Sequence, residues 1–379
     1  MRIVFLSLNA YDMLTGGHGG NVGGSQLQQV LIGRELTDRG HEVYFIENDQ
    51  EYKEETTVDG IDVILKDEYP NGSLPVRLPA RTIATLRTLH ALDPDVVYVR
   101  VPNLDIFPLS VYCSITDTRF VYNFAHDSEV TDDPVVLNTA LTNNTLYWGA
   151  MQKALGTADA LVAQNDFQYT RASNKYSKTD ITLIWNGYPD PDQNPTSKQL
   201  SATRPQILWV AMLREWKQPE LVLRLASEIP EADFIIVGGQ AAESPEIYER
   251  VEQKASKLDN VCFEGFVSYD NVGKYFETSD IFVNTSIDEG FPNTFLQAWA
   301  NRTPVVSLNV NPNDLLQTHD IGFCADGSTE TMRKRLQELV QDEEYRHQLK
   351  INAYKHFVEN HSIQQVANQY EAVFRGEAE

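Results

Sequence analysis

At 379 residues the chain is longer than one hydrophobic core normally grows, so two domains are expected. Its 42% hydrophobic content excludes a disordered chain, and a formal charge of −23, from 54 acidic against 31 basic residues, argues against nucleic acid as a partner. Cys113, Cys262 and Cys324 are too few and too scattered for a disulfide framework or zinc cluster, and no run of about 18 apolar residues offers a membrane span, so a reducing cytoplasm is the expected location.

The apolar start, Ile3 to Leu8, is too short for the core of a signal peptide and reads as a first strand. Further β-branched and aromatic runs follow at Glu42 to Glu47, Asp62 to Leu65, Val96 to Arg100, Phe120 to Phe124, Ala160 to Gln164 and Ile181 to Trp185, separated by helix-length amphipathic stretches. This alternation predicts a mainly parallel sheet with helices on both faces. From Asn186 to Pro205 the prolines 189, 191 and 195 interrupt the pattern and mark a linker. The alternation then restarts at Ile207 to Ala211, Asp233 to Gly238, Val261 to Phe266, Ile281 to Ser286, Pro304 to Leu308 and Gly322 to Ala325. Helical spacing from Met332 through Leu349 and from Ser362 to Phe374 leaves a last helix whose apolar face needs a surface to cover.

Five segments place chemistry at predicted strand ends, where open α/β sheets bind ligands. The first is the glycine-rich run 16–24, ending in Gly23-Gly24-Ser25 before a predicted helix from Gln26 to Leu36. Glycine amides and a helix start suit a phosphate, although an unliganded flexible loop gives the same composition. Glu47 and Asp49, ending the second strand, imitate a ribose-binding acid. His126, with Asp127 and Glu129, follows the strand ending at Phe124; a structural histidine is the alternative. Arg214 and Lys217 lie just past Ala211 and could converge on a diphosphate, or decorate a solvated turn. In the fifth segment, Ser286 to Val306, Glu289 precedes a helix for which Asn293 is the expected N-cap and on which Gln297 lies. Amides from Gly290 to Thr294 would there offer donors beside a carboxylate; a capped core helix is the bland alternative.

Taken in order, these pieces resemble a glycosyltransferase of the GT-B fold, similar to family 4. They are Gly23-Gly24-Ser25, His126-Asp127, Asn186-Gly187, Arg214 with Lys217, Phe263 to Val267, Glu289-Gly290-Phe291-Pro292 and Thr303 to Val306. The resemblance implies two Rossmann-like doubly wound α/β domains facing a central cleft. An acceptor-side domain would cover 1–186, completed by a returning C-terminal helix 361–379, and a nucleotide-sugar domain would cover 187–360. It implies transfer of a hexosyl-type group from a nucleoside-diphosphate sugar to a glycan or lipid-linked hydroxyl, with retention and without cofactor or metal. Arg214 and Lys217 would neutralise the leaving diphosphate. Glu289, with Gly290, Phe291, Pro292, Asn293 and Thr294, would hold the sugar; Gln297 would face the ribose, and His126 the reacting carbon. Gly23 and Gly24 would lie against the phosphate, and the backbone at Phe266 and Val267 against the base.

Three departures stand out: Gln297 replaces a usual glutamate, while Arg302 and Gln218 replace usual glycines. A neutral amide bonds a ribose hydroxyl less strongly than a carboxylate does. A non-catalytic nucleotide-sugar-binding subunit therefore stays open, as does an epimerase or nicotinamide dehydrogenase on the same plan. The Asp-Pro-Asp triplets at 93–95 and 190–192 imitate a metal pair but suit turns. Arg77, Arg81 and Arg87 form a locally basic helical face, expected to meet anionic lipid or to be plainly solvated. The acidity as a whole is read as an adaptation to high salt, with an ordinary acidic chain as the alternative.

Overall fold

The computed structural model describes residues 1–15, 23–49, 56–67, 74–131, 145–177, 179–191 and 204–377. The chain divides into one unit made of Met1–Gly187 with Ile363–Glu379, and a second made of Tyr188–Ser362.

The first unit is built on eight strands: β1 Arg2–Leu8, β2 Glu42–Asp49, β3 Thr56–Val58, β4 Ile61–Asp67, β5 Val96–Arg100, β6 Arg119–Asn123, β7 Ala160–Ala163 and β8 Asp180–Leu183. Their order is β3-β4-β2-β1-β5-β6-β7-β8, parallel throughout except for the β3–β4 pair. All five residues of β5 and all four of β7 are buried, as a strand covered on both faces requires. The β3–β4 hairpin turns through Asp59 and Gly60, both at positive φ, which suits a tight hairpin turn. From β1 the chain first builds outward through β2 and β4, then returns to place β5 on the other side of β1. The sheet therefore reverses its winding between β1 and β5.

The helix Ile363–Arg375 belongs to this unit although it is made last. It buries Ile363, Val366, Ala367, Tyr370, Val373 and Phe374. Tyr370 and Phe374 meet the Tyr98 ring of β5 at 5.6 and 5.8 Å between centroids. On its polar side Glu371 takes Arg39 at 2.7 Å and His41 at 2.6 Å. The apolar face expected on the last helix is thus covered within the first unit, by its sheet and by the helix Gly24–Asp38.

The second unit holds six strands, β9 Gln206–Val210, β10 Asp233–Val237, β11 Val261–Gly265, β12 Ile281–Asn284, β13 Val305–Ser307 and β14 Gly322–Cys324. The order β11-β10-β9-β12-β13-β14 is all parallel, with its reversal between β9 and β12. Trp209, Ile207, Phe234, Ile236, Ile281 and Val283 form its core with the neighbouring helices. Most strands stop one or two residues before the apolar runs do, because Phe124, Gln164, Ala211, Gly238 and Phe266 already belong to the turns that leave the sheet.

Candidate functional site

In the second unit the site is assembled around the β9/β12 reversal. After β9 the chain makes a short 3-10 turn, Glu215–Lys217. Its approach is held by β10: Ala211 N–H donates to the Val237 carbonyl at 3.1 Å and Leu213 N–H to that of Gly239 at 3.0 Å. A Cβ on Gly238 would collide with the Ala211 carbonyl oxygen, so only glycine permits this approach. The turn is also tied to the loop after β12. The Thr285 hydroxyl donates to the Lys217 carbonyl at 2.6 Å and accepts from the Trp209 indole at 2.9 Å. Ile287 N–H donates to the Trp216 carbonyl at 2.9 Å.

These ties bring Lys217 and Glu289 together, with Nζ 2.7 Å from Oε2 and side chains only 13% and 16% exposed. Asn284 Nδ2 donates to the other Glu289 oxygen at 2.9 Å. Lys217 Nζ also lies 4.0 Å from the Trp216 ring centroid. Burial lowers the Lys217 pKa, the Glu289 carboxylate opposes that shift, and the charge of Arg214 adds to it. Arg214 itself lies 2.8 Å from Glu243, a carboxylate more than half exposed to water. A buried cation and anion in contact, with a second cation loosely held nearby, form a place where an incoming diphosphate can exchange partners.

The helix that follows is Asn293–Ala300, and here one expectation is corrected. Its N-cap is Pro292, at φ −67° and ψ 124°, with Asn293 the first helical residue. Proline already has the extended backbone an N-cap needs and lacks the N–H that would otherwise want a partner. Phe291 turns inward against Trp299 and His361, at 6.3 and 5.3 Å. Gln297 is buried and hydrogen-bonds the Tyr188 hydroxyl, whose pKa burial raises while Gln297 and Tyr269 pull it back. Phe266 stands exposed after β11, beside Gly239, and Val267 is half-buried. Both positions where glycine is usual are left-handed here, Gln218 at φ 50° and Arg302 at φ 57°. Arg302 lies 3.8 Å over the Tyr354 ring.

In the first unit His126 follows β6 and opens a 3-10 turn, Asp127–Val130. The turn is fastened by Glu129, fully buried, which accepts from the Ala125 and His126 amides at 3.0 and 2.8 Å and from the Tyr122 hydroxyl at 2.6 Å. Burial holds the Glu129 carboxyl up at about 7, against the pull of these bonds. Asp127 is fastened in turn by Asn165 and Gln168, each at 2.9 Å. His126 is lowered below its ordinary pKa, first by burial and then by the charge of Arg100, with Asp127 opposing. Gly23 caps the helix Gly24–Asp38 in extended geometry, and a Cβ there would strike the Gln26 side chain. Residues 16–22 of the glycine-rich run lie outside the described residues, as do the side chains of Arg77 and Arg81; Arg87 is exposed on the helix Leu74–Leu92.

Lys217, Glu289 and the start of the helix carrying Gln297 are therefore brought to the carboxyl ends of the central strands of the second sheet. His126, Gly23 and Gly24 belong to the first unit. Asn284, Thr285 and Tyr188 are of residue types that carry no functional signal in the sequence by themselves. Gly238-Gly239, a glycine pair at a strand end, does carry one. Among the described residues no helix is long and apolar enough to cross a membrane, and no three His, Cys, Asp or Glu side chains group as metal ligands.

Two family profiles match in tandem, Glycosyltransferase Family 4 over residues 22–190 and Glycosyl transferases group 1 over residues 191–356. The chain is 23% identical to N-acetyl-alpha-D-glucosaminyl L-malate synthase of Bacillus anthracis, over 93% of this chain and 94% of that protein. Among solved structures it resembles sucrose-phosphate synthase from Thermosynechococcus elongatus, with a TM-score of 0.76, 16% identity and 99% of both chains covered. It also resembles Anabaena HepE in complex with UDP, at 0.75 and 17%, covering 99% of this chain and 100% of that one.

Proposed function

Since this chain belongs to the GT-B glycosyltransferases of the family 4 type, we propose that it moves a hexosyl-type group from a nucleoside-diphosphate sugar to a hydroxyl acceptor. We further propose retention of anomeric configuration and no need of a metal. The observation that carries this reading is the buried Lys217–Glu289 pair at the β9/β12 reversal, beside Arg214 and a helix start. HepE, crystallised with UDP and with UDP-glucose, makes a uridine nucleotide the first donor to try.

The anomeric carbon–oxygen bond breaks with its electron pair going to the diphosphate. Positive charge then builds on the sugar and negative charge on the leaving group. The incoming diphosphate takes Lys217 from Glu289 and draws Arg214 from the exposed Glu243. Both cations then meet charge that grows as the bond breaks, which is the condition for lowering a barrier rather than only tightening binding. Glu289, released from Lys217 but still held by Asn284, accepts from sugar hydroxyls, and amides from Gly290 to Thr294 donate to the sugar or phosphate. The acceptor oxygen bonds to the anomeric carbon on the face the diphosphate leaves, and its proton goes to the departing phosphate oxygen. Gln297 bonds the ribose as a neutral partner, the backbone near Phe266 and Val267 borders the base, Gly23 and Gly24 lie against phosphate, and His126 meets the sugar near its reacting carbon.

The second reading, a subunit that binds the donor without turnover, is favoured by Gln297 alone, already engaged by Tyr188. One experiment separates them. UDP, GDP and ADP and their sugars are screened by thermal shift, where a ligand at a hundred times its dissociation constant adds about 2.7 kcal/mol. Donor consumption is then followed, with and without EDTA, in wild type, Lys217→Ala and Glu289→Ala. Turnover that survives EDTA and falls at least about 100-fold in both variants is expected; stabilisation without turnover selects the second reading, and unchanged consumption in both variants overturns the first.

A further inference from the structure

We infer that the first unit carries an oxyanion-binding position at the carboxyl ends of β1 and β5, centred on Arg100, and that the hydroxyl acceptor bears a carboxylate or phosphate that docks there. The second clause rests on the transfer proposed above; the first does not.

Arg100 ends β5 and is only 2% exposed. Nη2 donates to the amide oxygens of Gln164 at 3.0 Å and Asn186 at 2.8 Å, and the side chain also meets the Tyr98 hydroxyl. Neutral acceptors hold the fork in place but leave its charge unbalanced. Among the described residues no carboxylate forms an ion pair with it, and its Nε is buried without a partner. Glu129, whose charge Arg100 feels, already has three donors on its two oxygens. A buried guanidinium with one unmatched N–H is costly unless something completes it, and guanidinium forks match carboxylate and phosphate oxygens in particular.

The neighbouring strand supplies a second donor. Leu6 pairs with Val99 at the last rung of the β1–β5 ladder, and Ser7 and Arg100 are the residues that directly follow on the two strands. On its other side β1 slips register against β2 between Leu6 and Leu8, which leaves Ser7 as the extra residue of a bulge. The Ser7 hydroxyl is buried and lacks a partner, as Arg100 Nε does. One oxyanion could accept from both groups. The next residue, Val101, has φ 88°, a backbone region that a β-branched side chain rarely enters and that a sheet end keeps only under constraint. All of this lies where the first sheet reverses its winding, the position at which such sheets bind ligands. It also lies within electrostatic reach of His126.

The test is calorimetric titration of the full chain, saturated with UDP so that Arg214 and Lys217 are occupied, or carrying Lys217→Ala if UDP does not bind. The probes are inorganic phosphate, glycerol 3-phosphate and glycerate, with glycerol as neutral control. Glycerol 3-phosphate or glycerate is expected to bind at least tenfold more tightly than inorganic phosphate. That binding should weaken at least tenfold in Arg100→Gln and several-fold in Ser7→Ala, a change too small to threaten folding. Binding that is absent in wild type, or unaltered in both variants, overturns the position; inorganic phosphate binding as well as the organic anions overturns its assignment to the acceptor. Failure of UDP to bind, read separately, counts against the donor reading and leaves the oxyanion position standing on its own titration.

Discussion

Replacing Lys217 by methionine and Glu289 by glutamine, singly and together, separates what their contact does for the fold from what it does for the reaction. At 2.7 Å and an effective dielectric constant near 20, the pair attracts with about 6 kcal/mol, most of it offset by the loss of hydration of two nearly buried ions. Removing one member of a fully buried pair costs about 3–5 kcal/mol. Here each side chain keeps some exposure, and the survivor retains company: Asn284 for Glu289, the Trp216 ring for Lys217. A loss of about 2.5 kcal/mol for each single variant is therefore expected, but only about 2 kcal/mol for the double, a coupling near 3 kcal/mol. Denaturant midpoints of the four proteins measure it, while release of the nucleoside diphosphate from the donor measures turnover. Stability should be partly regained in the double variant and turnover should not. If turnover returned along with stability, the two residues would be structural and the proposed chemistry would be refuted; single-variant losses below about 0.5 kcal/mol would mean the ion pair does not form.

Glu129 gives a pH signature of the opposite sign to the usual carboxylate. Its pKa is raised by burial to about 7, so between the unfolded value near 4.3 and 7 the folded chain holds the extra proton. The associated stability is complete below the unfolded pKa and is lost as pH rises through the folded one, by about 4 kcal/mol in all. Glu129→Gln should therefore gain on wild type in urea midpoint between pH 4.5 and 8, and a pH-independent difference would contradict the assignment. At the left-handed positions, Gln218→Gly relieves about 1–2 kcal/mol of backbone strain against about 0.4–1 kcal/mol of added chain entropy, a net gain near 0.5 kcal/mol. Arg302→Gly also forfeits the contact over Tyr354, so thermal melts should show the first variant stabilised and the second unchanged.

Both sheets were legible because buried parallel strands are written as unbroken apolar runs, and such runs survive whatever packs on them. The β3 edge strand was not. Thr56–Val58 is too short and too exposed to stand out, although the Asp59-Gly60 pair after it is a recognised hairpin signal. The Glu289 loop could be placed beside a helix start from its order in the chain. Its pairing with Lys217 could not, because it depends on two strand ends made adjacent by the sheet's reversal and on the Thr285 hydroxyl that ties them. Pro292 displaced Asn293 as cap because backbone preference outweighed side-chain preference. Arg100 was hidden in plain view: it reads as the polar end of a β-strand until its partners are counted.

The division of the chain has a consequence for its synthesis. Tyr188–Ser362 is one uninterrupted stretch, whereas the first unit needs both its first 187 residues and a helix beginning at Ile363. On the ribosome, the later-coded unit can therefore finish before the earlier one, which must wait with Tyr98 and its neighbours bare until Tyr370 and Phe374 emerge. A premature stop that removes only the last dozen or so codons would leave the second unit whole and expose apolar surface on the first, the condition under which nascent chains aggregate.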